Sequence, residues 1–408
     1  MSKQNRLTVL LGAGAMMEVT TLSCYSITQN VIATQQSIFK NGKWESIPFL
    51  NFVYEQLKTY YNKENTSVNF EDIFHALEMW SSLKTAEDQQ ALKVFRSVFG
   101  MFCNIKDDFA QVPMSLIYTG LRDLVDSVID DVVAFEKNVD CDAWFANFFK
   151  TLQQKMSLDI FSLNYDTWLE QILGDYNDGF YPICDTHQIF SANKLFCSSE
   201  NQSTVNHLHG QICFTTHLPT GSKRFLTDGW YKANNYDLIR ELKIHPRHIG
   251  YMTKTQAAEQ IYQFPIITGL RKNDKIMMPP FDSYYMHLHQ QLRSNENLLI
   301  IGYGFGDLYI NSLLNQFYNF HGENGKVICI GYISPEDRVH NMYEMKLPNV
   351  MKQSIYTMFH DSELPYRCLD VSCCDCIESF SRNGRLYLCG FNFAVSSYSD
   401  DILRFYSK

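Results

Sequence analysis

Apolar positions repeat with two different periods along this chain, and the change between them divides it. Residues 7–11 (LTVLL) form a continuous apolar run, the pattern of a strand buried on both faces of a parallel sheet. A Gly12-Ala13-Gly14-Ala15 turn follows. From about residue 22 to 155 the pattern is mostly helical. Phe70, Ile73, Phe74, Leu77 and Trp80 of FEDIFHALEMWSSL (70–83) fall near helical spacing, and 87–103, 113–134 and 141–156 read the same way.

Beyond that block, strands and helices alternate. LDIFSLNYD (158–166) reads as a strand ending in polar residues, and TWLEQILG (167–174) as a helix whose Thr167 and Glu170 have capping-box spacing. NHLHGQICF (206–214) is a strand or strand-turn, and FPIITGL (264–270) a short apolar piece. DSYYMHLHQQLRS (282–294) is a helix and NLLIIGYGFGD (297–307) a strand with a glycine turn. LYINSLLNQFY (308–318) is a helix, KVICIGYI (326–333) a strand, and Asn383-Gly384 marks a hairpin. This order predicts an α/β protein: a Rossmann-like parallel sheet with a large helical insertion and a C-terminal extension. The expected units are a Rossmann domain from 1–24 and 156–340, the insertion 25–155 and the extension 341–408.

Composition narrows the class. A chain of 408 residues, 45% hydrophobic with 29 Phe and 24 Tyr, can bury a sizeable core. No apolar run reaches the roughly 18 residues that span a bilayer, and the first apolar run leads straight into a glycine turn, so neither a membrane span nor an export signal is expected. The 12 scattered cysteines then read as reduced thiols in a cytoplasmic protein. A net charge of −9 argues against direct nucleic-acid binding but leaves room for a small basic pocket.

Four motifs carry candidate chemistry. Gly12-Ala13-Gly14 opens backbone N–H groups to a phosphate at a helix start, or is simply a tight turn. The dehydrogenase fingerprint fails, because Met17 stands where a third glycine belongs and 29–36 has no Asp or Glu. Ser162-Leu163-Asn164-Tyr165-Asp166 ends a strand at the edge where open sheets hold ligands; Asn164 offers a donor and an acceptor there, or it and Asp166 only shape the turn. His207-Leu208-His209-Gly210 presents an imidazole suited to general-base work, or a satisfied core histidine. His207 and His209 would share a strand face, but no third ligand is evident and no metal is expected. In Ile301-Gly302-Tyr303-Gly304-Phe305-Gly306-Asp307, glycines permit close backbone approach, and Asp307 either bonds a ribose or caps the next helix.

Together and in this order, the four motifs resemble the sirtuin superfamily, and more narrowly the bacterial sirtuin-like NAD-consuming effectors of antiphage defence. PIITGLRKNDKIMMPP (265–280) resembles the run before that family's last long helix, and the resemblance spans roughly residues 5–335. It implies Asn164 and His209 as catalytic residues, and Gly12, Ala13, Gly14, Asp166, Gly302, Tyr303 and Asp307 as NAD contacts. Met16 replaces a usual serine, Val19-Thr20-Thr21-Leu22-Ser23 replaces the deacylases' Ile-Pro-Asp-Phe-Arg-like run, and Cys368, Cys373, Cys374 and Cys376 lie outside the place of their zinc module. These departures favour an NAD glycohydrolase releasing nicotinamide and ADP-ribose over a protein deacylase or a non-catalytic NAD-binding subunit. The resemblance further implies a homo-oligomer, or control by a HerA-like ATPase or an Argonaute-like partner.

Overall fold

A computed structural model describes residues 5–18, 22–40, 42–61, 67–85, 112–136, 144–197, 199, 201–215, 229–240, 251–254, 260–269, 272–338, 349–359, 367–368, 375–379 and 382–407. The helix expected over 87–103 lies outside them, as do Cys373 and Cys374.

The chain is α/β, built among the described residues on one main sheet of nine strands. In chain order these are β1 (Arg6–Leu11), β2 (Ser157–Ser162), β3 (Tyr176–Asn177), β4 (Ser203–His207), β5 (Asn297–Ile301), β6 (Lys326–Ile330), β7 (Arg367–Cys368), β8 (Cys376–Glu378) and β9 (Gly384–Tyr387). Across the sheet they run β7-β8-β9-β6-β5-β1-β2-β4-β3. All neighbours from β9 to β3 are parallel, whereas β7-β8 and β8-β9 are antiparallel. The six strands β4-β2-β1-β5-β6-β9 have the doubly wound order in which the chain reverses direction beside β1.

Alternation along the strands builds a core on each face. Leu7, Val9 and Leu11 of β1, Leu299 and Ile301 of β5, and Ile328 and Ile330 of β6 pack to one side. Leu10, Leu298, Ile300, Val327 and Cys329 pack to the other. The first face is covered by the helices Trp144–Lys155 and Phe391–Ser407, the second by Phe281–Ser294 and Leu308–Leu314.

The expected hairpin at Asn383-Gly384 is present as β8 and β9. β9 also pairs in parallel with β6, so the 341–408 segment adds a strand to the central sheet. The 22–155 block is helical over Cys24–Ala33, Phe49–Tyr61, Phe70–Thr85, Met114–Glu136 and Trp144–Lys155. It is not wholly so: Gln36–Lys40 and Lys43–Ile47 pair as an antiparallel hairpin, turned at Gly42 with φ 79°. The helices of the block form a third core, in which Phe74, Leu77, Leu121 and Leu124 meet Ile212, Phe264 and Ile266 from the far side of the chain.

Candidate active site

The carboxyl ends of β1, β2, β4 and β5 meet at the reversal point, and the four motifs lie on them. The Gly12 amide donates to the Ile301 carbonyl (2.9 Å) and the Gly14 amide to the Gly302 carbonyl (2.8 Å). The two glycine turns therefore lie directly against each other. A Cβ on Gly12 would stand 2.5 Å from the Gly302 oxygen, and one on Gly302 would stand 1.9 Å from the Ala15 nitrogen. Gly302 also has φ 62°, a left-handed conformation. The glycines are thus demanded by backbone packed on backbone. Tyr303 turns inward, its hydroxyl donating to Asn311 Oδ1 (2.9 Å) and lying 3.0 Å from the Asp307 carbonyl.

Asn164 follows β2. Its amide Nδ2 donates to the Gly12 carbonyl at 3.3 Å, and its backbone N–H to the Ser162 hydroxyl at 3.1 Å. The side chain is held against the first glycine turn while remaining 8% exposed. His209 follows β4 in a tight turn. Its carbonyl accepts from Ile267 N–H (2.7 Å), and Gly210, at φ 88°, forms a bridge to Ile266.

The His209 ring faces Asp307. Nε2 lies 3.4 Å from Asp307 Oδ2, an ion-pair distance with no well-formed hydrogen bond. Asp307 Oδ1 meanwhile accepts from the Tyr309 and Ile310 amides, so Asp307 caps the Leu308–Leu314 helix with one oxygen while the other faces the imidazole. Burial and the nearby Lys272 ammonium hold the His209 imidazole below its ordinary value, which keeps it neutral, with a ring nitrogen free to accept a proton, near pH 7. Burial works to raise the Asp307 carboxyl, but His209 and the Ile310 amide outweigh it and bring it down to about 2.

His207 and His209 do not share a strand face. β4 ends at His207, and the chain turns at Leu208. His207 Nε2 instead meets Glu170 Oε1 at 2.9 Å. Burial opposes charge on this ring, but Glu170 and Asp166 prevail and raise its pKa, while the same contact lowers that of Glu170. The expected capping box is absent for this reason: Glu170 is committed to His207. Thr167 takes Glu136 as partner through both its N–H and its hydroxyl, the latter at 2.9 Å.

Asp166 belongs to this second group. It is 4% exposed, and burial together with the neighbouring Glu136 raises its carboxyl to about 8. The structure brings Asn164, His209, Asp307 and the two glycine turns together, and sets Asp166 among Glu136, Glu170 and His207. Glu136 and Lys232 carry no motif in the sequence, and only folding reveals them; Lys272 lies in the 265–280 run, but its place beside His209 is seen only in the fold.

Residues 159–346 match the family model of the SIR2-like domain. That stretch contains Asn164, Asp166, His209, Gly302, Tyr303 and Asp307, while the Gly12–Gly14 turn precedes it. SIR2-like domains act on NAD. A search of the curated proteins finds no match. Similar solved structures include two complexes of a Sir2 homologue with ADP-ribose, one a histidine-to-asparagine and one a serine-to-alanine variant. They are 11% and 12% identical, cover 88% of this chain and 95% of theirs, and have a TM-score of 0.30. At that score the likeness carries no argument, and the fold rests on its own strand order.

Proposed function

We propose that this protein is an NAD glycohydrolase, cleaving the bond between ribose C1′ and the nicotinamide nitrogen. The observation that carries the reading is the convergence of Asn164, a neutral His209 and Asp307 at the reversal point of a doubly wound sheet, within a SIR2-like region. Nicotinamide leaves with the bonding electron pair and becomes neutral as positive charge builds on the ribose. Asn164 orients the ribose or the incoming water. His209 takes the proton from that water as its oxygen bonds to C1′, giving ADP-ribose. Asp307 holds the imidazole and stabilises it once protonated. Gly12, Ala13, Gly14, Gly302 and Tyr303 shape the wall against the dinucleotide.

The Gly12 and Gly14 amides are already bonded within the protein, so the turn offers a diphosphate fewer donors than the motif suggests. We place Asp166 beyond the reacting atoms, in the carboxylate group behind them. We further propose that the enzyme serves cytoplasmic antiphage defence by depleting NAD, and that self-assembly or a HerA-like or Argonaute-like partner switches it on. The sheet is its NAD-binding unit, with 25–155 as an insertion and 341–408 as an extension. Among the described residues no helix is long and apolar enough to cross a membrane.

Chromatography of nicotinamide released from NAD tests the reading. Wild type should turn NAD over, and Asn164→Ala and His209→Ala should each lower the rate by at least about 100-fold with the fold intact. Release that survives both substitutions rules the site out. Acetyl-peptide-dependent consumption of NAD would point to a deacylase instead.

A further inference from the structure

Apart from the Asn164–His209 residues, a cavity of about 620 Å³ is present. Its walls include Glu136, Glu170, Tyr176, Gln211, Lys232 and Tyr236, but not Asn164, His209 or Asp307. We propose that this cavity binds a small organic cation through its N–H donors, a guanidinium or primary ammonium compound.

Two buried acceptors point to such a ligand. The Glu170 side chain is 10% exposed and Gln211 is 1% exposed. Glu170 Oε2 and Gln211 Oε1 have no hydrogen-bond partner among the described residues. Their other polar atoms are engaged: Glu170 Oε1 takes both His207 Nε2 and Gln211 Nε2. Buried acceptors without donors are costly, and a bound donor removes that cost.

Charge points the same way. Three carboxyl groups, Glu136, Glu170 and Asp178, stand in or beside the cavity wall with two groups able to carry positive charge, His207 and Lys232. His207 is paired with Glu170, and Lys232 is bonded to Asp178, so each cation already has its counter-ion. Among the described residues Glu136 bonds the Thr167 amide and hydroxyl and forms no ion pair. A ligand ammonium or guanidinium supplies the missing charge and the missing donors together.

Calorimetric titration of the full-length protein tests this, with agmatine and putrescine as probes and uncharged 1,4-butanediol as control. Because no NAD is present, the result is independent of any NAD turnover. Either probe should bind with a dissociation constant below about 1 mM, and the diol should not. Glu170→Gln should weaken binding at least about tenfold. Gln171→Arg, which places a cation on an exposed rim position, should do the same without touching the buried group. No heat with either probe would mean a merely hydrated cleft and overturn the proposal, as would affinity unchanged in both variants. Agmatine alone binding would narrow the ligand to guanidinium compounds, and putrescine alone to primary amines.

Discussion

A single hydrogen at Gly302 decides whether the two turns of the site can meet. Any Cβ there would stand 1.9 Å from the Ala15 nitrogen, on a backbone already at φ 62°. Gly302→Ala should therefore destabilise the fold by more than about 3 kcal/mol, read by urea unfolding. An unchanged midpoint would mean that the two turns do not pack as described. Asp166 makes a pH-dependent prediction. Folded, its carboxyl holds a proton up to about 8, against an ordinary value of 3.8. The native state thus binds the extra proton between those values. This group's stabilisation is fully present below the unfolded value and is lost as pH rises through the folded one. Asp166→Asn should flatten the fall in melting temperature between about pH 5 and pH 8. Equal slopes for the two proteins would contradict the buried, protonated carboxyl. The sequence marked Asn164, His209 and Asp307 because each follows an apolar run at a strand's end. It did not reveal the surroundings of Asp166, because the neighbouring Glu136 lies thirty positions away, at the end of the Met114–Glu136 helix.

Elements reveal their type more readily than their ends. Continuous apolar runs made β1, β5 and β6 evident, and the period of Phe70, Ile73, Leu77 and Trp80 did the same for the Phe70–Thr85 helix. The hairpin Gln36–Lys40/Lys43–Ile47 was hidden because an exposed two-stranded ribbon needs little alternation. Caps were also hidden, since a long-range partner can displace the local one. Glu18, just after the first glycine turn, caps the Phe391–Ser407 helix from 373 positions away, accepting from the Phe391 amide at 2.7 Å and the Asn392 amide at 2.6 Å. Gly390, at φ 89°, leaves room for it. Glu18→Ala should cost about 1 kcal/mol in chemical denaturation, as loss of a cap does. Truncating the carboxylate without effect would show that the helix start is satisfied by water alone.

At the scale of the whole molecule, strand order does more than any motif. The reversal beside β1 creates one crevice where four loops from distant parts of the chain converge. The alternating strands and helices made that sheet legible, but not the parallel pairing of β9, from the far C-terminal segment, with β6. The inserted helices reach the same place from outside. Their core includes Ile212 and Ile266, which flank the turn carrying His209. Glu71 lies 3.5 Å from Lys272, the cation that helps keep that histidine neutral. Whatever moves the insertion therefore bears on the base. The crevice itself is best tested by determining where NAD sits in the His209→Ala protein by crystallography. The ribose should lie between Asn164 and residue 209, with its C1′ within reach of one water and the dinucleotide along the Gly12 and Gly302 turns. A ligand found elsewhere, such as in the cavity of Glu136 and Glu170, would contradict the proposed site.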